Sequence, residues 1–264
     1  MTKTNRKSIV AMTAIVPLLV LASLLNSAFV PARPRGRIAS PRGLMRSGGE
    51  TAAGNLLDEQ RLLELSKEFL ETGTGFYSPL RPELYSEDFI FRGGVVGPLN
   101  KADYLRTMRL LGVADAFRLE SNAFGFTLDP DVPNSVRFFL RNRGEHVGPW
   151  QPWGAFPPAP LPPVPGKTSV VAPTETARLV FDADGKVKHF ATGLVVGKYE
   201  PEVNTNGLGA VLGLFNAIGL GGIGGLALNK QVRDISNAAA DQFEFLEIPK
   251  TKTVDEKVPS WWEE

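Results

Sequence analysis

The stretch ETARLVFDADGKVKHFATGLVVGKY, Glu175 to Tyr199, constrains this chain more than any other. Two runs rich in β-branched and aromatic residues flank Asp182-Ala183-Asp184-Gly185, where Gly185 supplies the left-handed residue that a tight hairpin loop requires. On the return strand Val187, His189, Ala191, Gly193 and Val195 share one face, and Lys188, Phe190, Thr192, Leu194 and Val196 share the other. Neither face is purely polar. A strand of that kind lies between a core and a second cover, either a partner subunit or another segment of the chain. The hairpin therefore predicts the centre of a curved sheet.

Upstream the period is helical. Asn55 is expected to cap a helix with Asp58 three residues on, a broad apolar face of Leu56, Leu62, Leu63, Leu65, Phe69 and Leu70, and a stop at Gly73. Pro82 to Tyr85 offers one helical turn, and Asp88 to Phe91 a short strand ending at Gly93-Gly94. A second helix is capped by Asn100, has Leu99 and Tyr104 spaced as a hydrophobic staple, and ends at Gly112; its buried stripe is Tyr104, Leu105, Met108 and Leu111. From Phe117 the period becomes two, with strands expected over Phe117 to Leu128, Ser135 to Arg143, Thr168 to Val171 and the central hairpin. Helices followed by an antiparallel sheet make the class α+β. In the second of these strands Val136, Phe138 and Leu140 face one way, and Arg137, Phe139, Arg141 and Arg143 the other, which is either a solvated sheet face or an anion site. The loop GPWQPWGAFPPAPLPPVPG is too rich in Pro for a central strand; its Trp150, Trp153 and Phe156 line a pocket mouth or cover the sheet edge.

Composition narrows the chemistry. The absence of Cys excludes disulfides and thiolate chemistry, and His146 and His189 are too few for a His-rich metal site, so neither metal nor cofactor is expected. The first 49 residues hold eight basic side chains and no acid; without them 21 basic groups stand against 28 acidic ones. A body of that sign argues against a binder of nucleic-acid backbone. Lys3, Arg6 and Lys7 precede the apolar run Ile9 to Leu25 and the small residues Asn26-Ser27-Ala28, the layout of a signal peptide over residues 1–28. Residues 29–54, with Arg33, Arg35, Arg37, Arg42 and Arg46 and a single acid, Glu50, have a transit-peptide composition. Ser27-Ala28-Phe29 resembles the junction of bipartite presequences in algae with secondary, red-type plastids, which implies a plastid stromal protein.

Over residues 55–200 the order of elements, with Leu84 to Phe89 as first strand and Lys101 to Leu105 opening the second helix, resembles the SnoaL-like branch of the nuclear transport factor 2-like superfamily. Arg143 to Gly148 followed by Pro165-Gly166-Lys167 is similar to that family's G-T-H-x-G and T-G-R stretches, and Asp184 to Phe190 to its D-G-K-I strand start. The resemblance implies a cone: a curved sheet wrapped around N-terminal helices, with a ligand pocket expected at Tyr85, Tyr104, Met108, Phe138, Trp150 and Trp153. It also implies a homodimer. Related cyclases and isomerases take a proton next to a carbonyl with a buried carboxylate near the end of the last strand, where this chain reads Gly193-Leu194-Val195-Val196-Gly197 and has no acid. The candidate catalytic residues are then Asp88, Tyr104, His146 and His189. Each also has a plainer role: capping or an ion pair for Asp88, core packing for Tyr104, satisfied strand histidines for the other two. The expectation is therefore non-catalytic binding of a small apolar ligand or a protein partner, with proton-abstraction chemistry and a thylakoid assembly role as alternatives.

Residues 201–230 contain Asn206 to Asn229, which carry no charge and eight Gly. This segment either docks on the cone or inserts in a membrane; the Gly pairs Gly221-Gly222 and Gly224-Gly225 favour docking. Residues 231–264 form an acidic tail in which Trp261 and Trp262 are a partner or membrane-surface anchor, or part of a disordered end. Thylakoid contact, if made, runs through 206–229 or these two tryptophans.

Overall fold

Helix α1 runs Glu59–Thr72 and buries Leu62, Leu65, Phe69 and Leu70 at helical spacing. Its N-cap is Asp58, which accepts a hydrogen bond from the Arg61 amide at 2.9 Å, three residues later than the expected Asn55. The computed structural model of the chain describes residues 56–152, 159–197 and 200–262, all within the compact unit Ala53–Glu264. The expected presequence over 1–54, Asn55, Trp153, Phe156 and Tyr199 lie outside the described residues. After a 3-10 turn at Pro82–Leu84 come β1 (Tyr85–Gly93), β2 (Leu99–Asn100) and helix α2 (Lys101–Leu111). Asn100 caps α2 by accepting from the Asp103 amide, and Gly112 closes it in the left-handed region at φ 54°, as the spacing predicts.

The fold is α+β, a curved sheet around N-terminal helices. A short helix α3 (Val113–Ala116) leads into β3 (Phe117–Glu120), β4 (Phe124–Leu128), β5 (Ser135–Leu140), β6 (Arg143–His146) and β7 (Ser169–Val171). The central hairpin is β8 (Glu175–Phe181) and β9 (Val187–Val195). Strand order is β2-β1-β9-β8-β5-β4 in one sheet and β3-β6-β7 in a second. Two expected strands are thus each divided between the sheets. Phe117 to Leu128 breaks where Asn122 takes φ 44°, and Ser135 to Arg143 breaks at Arg141-Asn142. The sheet is also not purely antiparallel, because β1 runs parallel to β9.

The hairpin turn follows the sequence closely: Gly185 has φ 78°, and the Asp182 carboxylate accepts from the amides of Asp184 and Lys186. Strict alternation along β9 fails, however. The register slips by one residue between Val180 and Phe181, so Val187 and Phe190 both join the core while His189 lies on the other side of the sheet. Phe69 meets Tyr85 and Phe190 edge-on, and Tyr104 packs on Phe89 and Phe91 at 5.2 and 5.0 Å. This aromatic cluster fills the space between the helices and the sheet.

Part of the Gly-rich segment packs against the core. The segment forms α4 (Ala210–Ala217) and α5 (Gly221–Leu228), and no helix among the described residues is long and apolar enough to cross a membrane. Leu214 and Phe215 of α4 are buried in the core, with the Phe215 ring 4.8 Å from that of Trp150. Helix α6 (Lys230–Gln242) and the residues after it wrap back as a strap. Buried Lys250 bridges Asp103 of α2 and Asp241 of α6 at 3.0 and 2.6 Å, Thr253 donates its amide to Pro98, and Trp261 donates its indole N–H to the Asp88 carbonyl. Trp261 and Trp262 lie against β1 and β9, beside Asp88 and His189.

Candidate functional site

Glu175 opens β8 in phase with Ala177, Leu179 and Phe181, the core-facing residues of that strand. It stands opposite Val195 in the hairpin register and is wholly buried. Its Oε1 accepts from the Ala210 amide at 3.1 Å and from Asn142 Nδ2 at 3.3 Å. Ala210 is the first residue of α4, whose N-cap Gly209 has no side chain to offer, so a carboxylate from a distant strand serves as the cap. A Cβ on Gly209 would run into the Glu175 carboxyl, which explains why glycine stands there. Burial pushes the Glu175 pKa up to about 7, against the lowering effect of the Ala210, Asn142 and Gly193 hydrogen bonds.

Tyr77 and Asn142 complete the cluster. The Asn142 amide nitrogen also reaches the Tyr77 hydroxyl at 3.5 Å, with the Thr192 hydroxyl alongside. Burial first, and then the Glu175 charge, raise the Tyr77 pKa, so Tyr77 stays a neutral phenol. Glu175 Oε2, Asn142 Oδ1 and Thr205 Oγ1 are buried with no hydrogen-bond partner. Leaving such atoms unpaired is costly. Between Asn142, Thr205, Ala210 and Leu214 there is a void of about 10 Å³, at the lower limit for one water. A carboxyl with a pKa near neutrality, set beside an amide and a phenol, can donate to a carbonyl when protonated or accept a proton when ionised.

The residues expected from sequence fall elsewhere and do not converge. Asp88 is partly exposed and paired with Lys188 at 3.2 Å. Tyr104 donates its hydroxyl to the Thr74 carbonyl at 2.8 Å inside the aromatic core, and Tyr85 donates to Gly73. His146 stacks on Phe117 at 4.5 Å, and burial lowers its pKa. His189 accepts at Nδ1 from Arg178 at 3.2 Å and lies 5.1 Å from the Trp262 ring; burial, then the Arg178 charge, lowers its pKa to about 4. Of the expected pocket residues, Tyr85, Tyr104 and Met108 come together as packed core, and Trp150 is buried with its indole N–H donated to the Leu111 carbonyl. Neither the void nor the outer groove described below is lined by these four; Phe138 lines the groove. Sequence reasoning missed Glu175 and Asn142, although an acid in phase with a core-facing strand was the available signal for Glu175.

No family model and no curated protein matches the chain. Among solved structures, it is similar to a protein described as a SnoaL-like polyketide cyclase from Jannaschia sp. CCS1, at 16% identity over 50% of this chain and 84% of that one, with a TM-score of 0.36. A protein described as a polyketide cyclase from Xanthomonas campestris pv. campestris shows 16% identity over 50% and 89%, with a TM-score of 0.36. AusH from Aspergillus nidulans shows 15% identity over 51% and 84%, with a TM-score of 0.35.

Proposed function

We propose that this chain is a plastid binding protein of the SnoaL-like type whose ligand site is the Glu175, Asn142 and Tyr77 cluster, held shut in the resting form by its own segment around α4. The observation that carries this reading is the buried Glu175 carboxyl, with one oxygen unpartnered and its pKa pushed up to about 7, directly beneath a helix N-terminus contributed by the Gly-rich segment. The aromatic half of the interior is filled, so the ligand is small: an apolar body with one hydroxyl that replaces the Ala210 amide as donor to Glu175, or one carbonyl that accepts from the protonated carboxyl. Displacing α4 exposes Leu214 and Phe215, and ligand burial must offset that loss. Native mass spectrometry of the protein isolated from its plastid tests the idea. A bound small-molecule mass that is absent from Glu175→Gln supports it; a ligand-free wild type, or an identical ligand load in the variant, contradicts it.

One observation favours a second reading, proton abstraction next to a carbonyl. Glu175 stands across the hairpin from Val195, so the neighbouring strand supplies an acid where the end of the last strand has none. A base with a pKa of about 7 is suited to neutral pH. Deuterium incorporation into a bound ketone, lost in Glu175→Gln, would select this reading over simple binding.

A further inference from the structure

The outer face of the six-stranded sheet carries an open groove of about 570 Å³, on the side away from the aromatic core. That volume is in the range of small-molecule sites. Three guanidinium groups border it, from Arg92, Arg137 and Arg178, and its apolar walls include Phe139 and Leu194, both exposed. Arg137 is ion-paired with Asp129. Arg92 gives Nη1 to the carbonyls of Gly93, Val96 and Gly97, and Arg178 gives Nη2 to neutral His189. Among the described residues neither Arg92 nor Arg178 has a carboxylate partner. Two uncompensated cations beside exposed apolar side chains are unusual on a body in which acids outnumber bases, and they call for an anion that is itself largely apolar.

A second copy of the chain is a poorer occupant. Pairing this face with itself about a two-fold axis would gather six guanidinium groups against two Asp129 carboxylates. A compact inorganic anion would leave Phe139 and Leu194 uncovered. We propose that the groove binds an apolar monocarboxylate, its head between Arg92 and Arg178 and its body along Phe139 and Leu194.

The test is calorimetric titration of the full-length chain with dodecanoate below its micelle concentration, beside acetate and dodecyltrimethylammonium. Dodecanoate should bind once per chain, weaken at least tenfold in Arg178→Gln and again in Arg92→Gln, and persist in Glu175→Gln; acetate and the cation should not bind. Melting curves close to wild type keep the groove variants interpretable. Equal binding of the cation would mean apolar adhesion only, and loss of binding in Glu175→Gln would place the ligand in the interior. Either result overturns the proposal, as does absence of dodecanoate binding, its indifference to both arginine variants, or a dimer that dissociates in Leu194→Arg.

Discussion

The β8–β9 hairpin buries one titratable group on each of its faces, and the two are covered by different pieces of the C-terminal extension. On the inner face Glu175 lies beneath the N-terminus of α4; on the outer face His189 lies beneath Trp262 and beside Arg178. Burial pushes both toward their neutral forms, the carboxyl up to about 7 and the imidazole down to about 4. Each keeps one buried atom without a partner, Glu175 Oε2 and His189 Nε2, but the inner group is held by a backbone amide and a side-chain amide, whereas the outer one lies between a guanidinium and two indoles. The two covers differ in kind: a polar cap from a helix N-terminus holds the carboxyl, and aromatic rings cover the imidazole.

The largest effect is expected at α4. Phe215→Ala removes a fully buried ring packed on Trp150 and should cost about 3–5 kcal/mol in denaturant unfolding. A cost below about 1 kcal/mol would mean that α4 is not packed as described. Next in size is pH. The Glu175 carboxyl binds its proton more tightly folded than unfolded, so its stabilisation, about 3 kcal/mol, is full below pH 4.5 and is lost as pH rises through about 7. His189 does the reverse: its contribution, also about 3 kcal/mol, is full above pH 6.5 and lost as pH falls through about 4. Between pH 4.5 and 6.5 the two slopes oppose each other. Glu175→Gln should unmask stability that rises with pH in that window, and His189→Gln stability that falls; parallel slopes in the two variants would refute the pairing. The smallest effect is at the tail. Trp261→Ala removes a hydrogen bond to Asp88 and a cation–π contact with Lys188 at 4.9 Å, and should cost about 1–2 kcal/mol while the His189 pKa, followed by imidazole NMR, moves up toward its ordinary value.

Much of this architecture was legible because its signals are local. The hairpin turn needs only Asp182 and Gly185, and helix α2 only Asn100 and Gly112; each works through neighbours a few residues away. The mixed faces of β9 correctly called for a cover on both sides. What sequence could not carry was the identity of the covers, since Ala210 meets Glu175 and Trp261 meets Asp88 only after the chain folds back. The same limit misdirected the site. Asp88, Tyr104, His146 and His189 are the kinds of residue that do chemistry, but the register slip in β9 and the ion pair to Lys188 separate them. Glu175 looked like an ordinary strand start because its burial comes from Gly209 and Ala210.

Carbon-13 NMR titration of the Glu175 carboxyl, in the full-length chain and in Phe215→Ala, shows whether α4 seals a functional carboxyl rather than a plain core. A midpoint near 7 is expected in the wild type, dropping toward the ordinary 4.5 once α4 is loosened. A wild-type midpoint already near 4.5, or one near 7 that loosening α4 leaves unmoved, would contradict it.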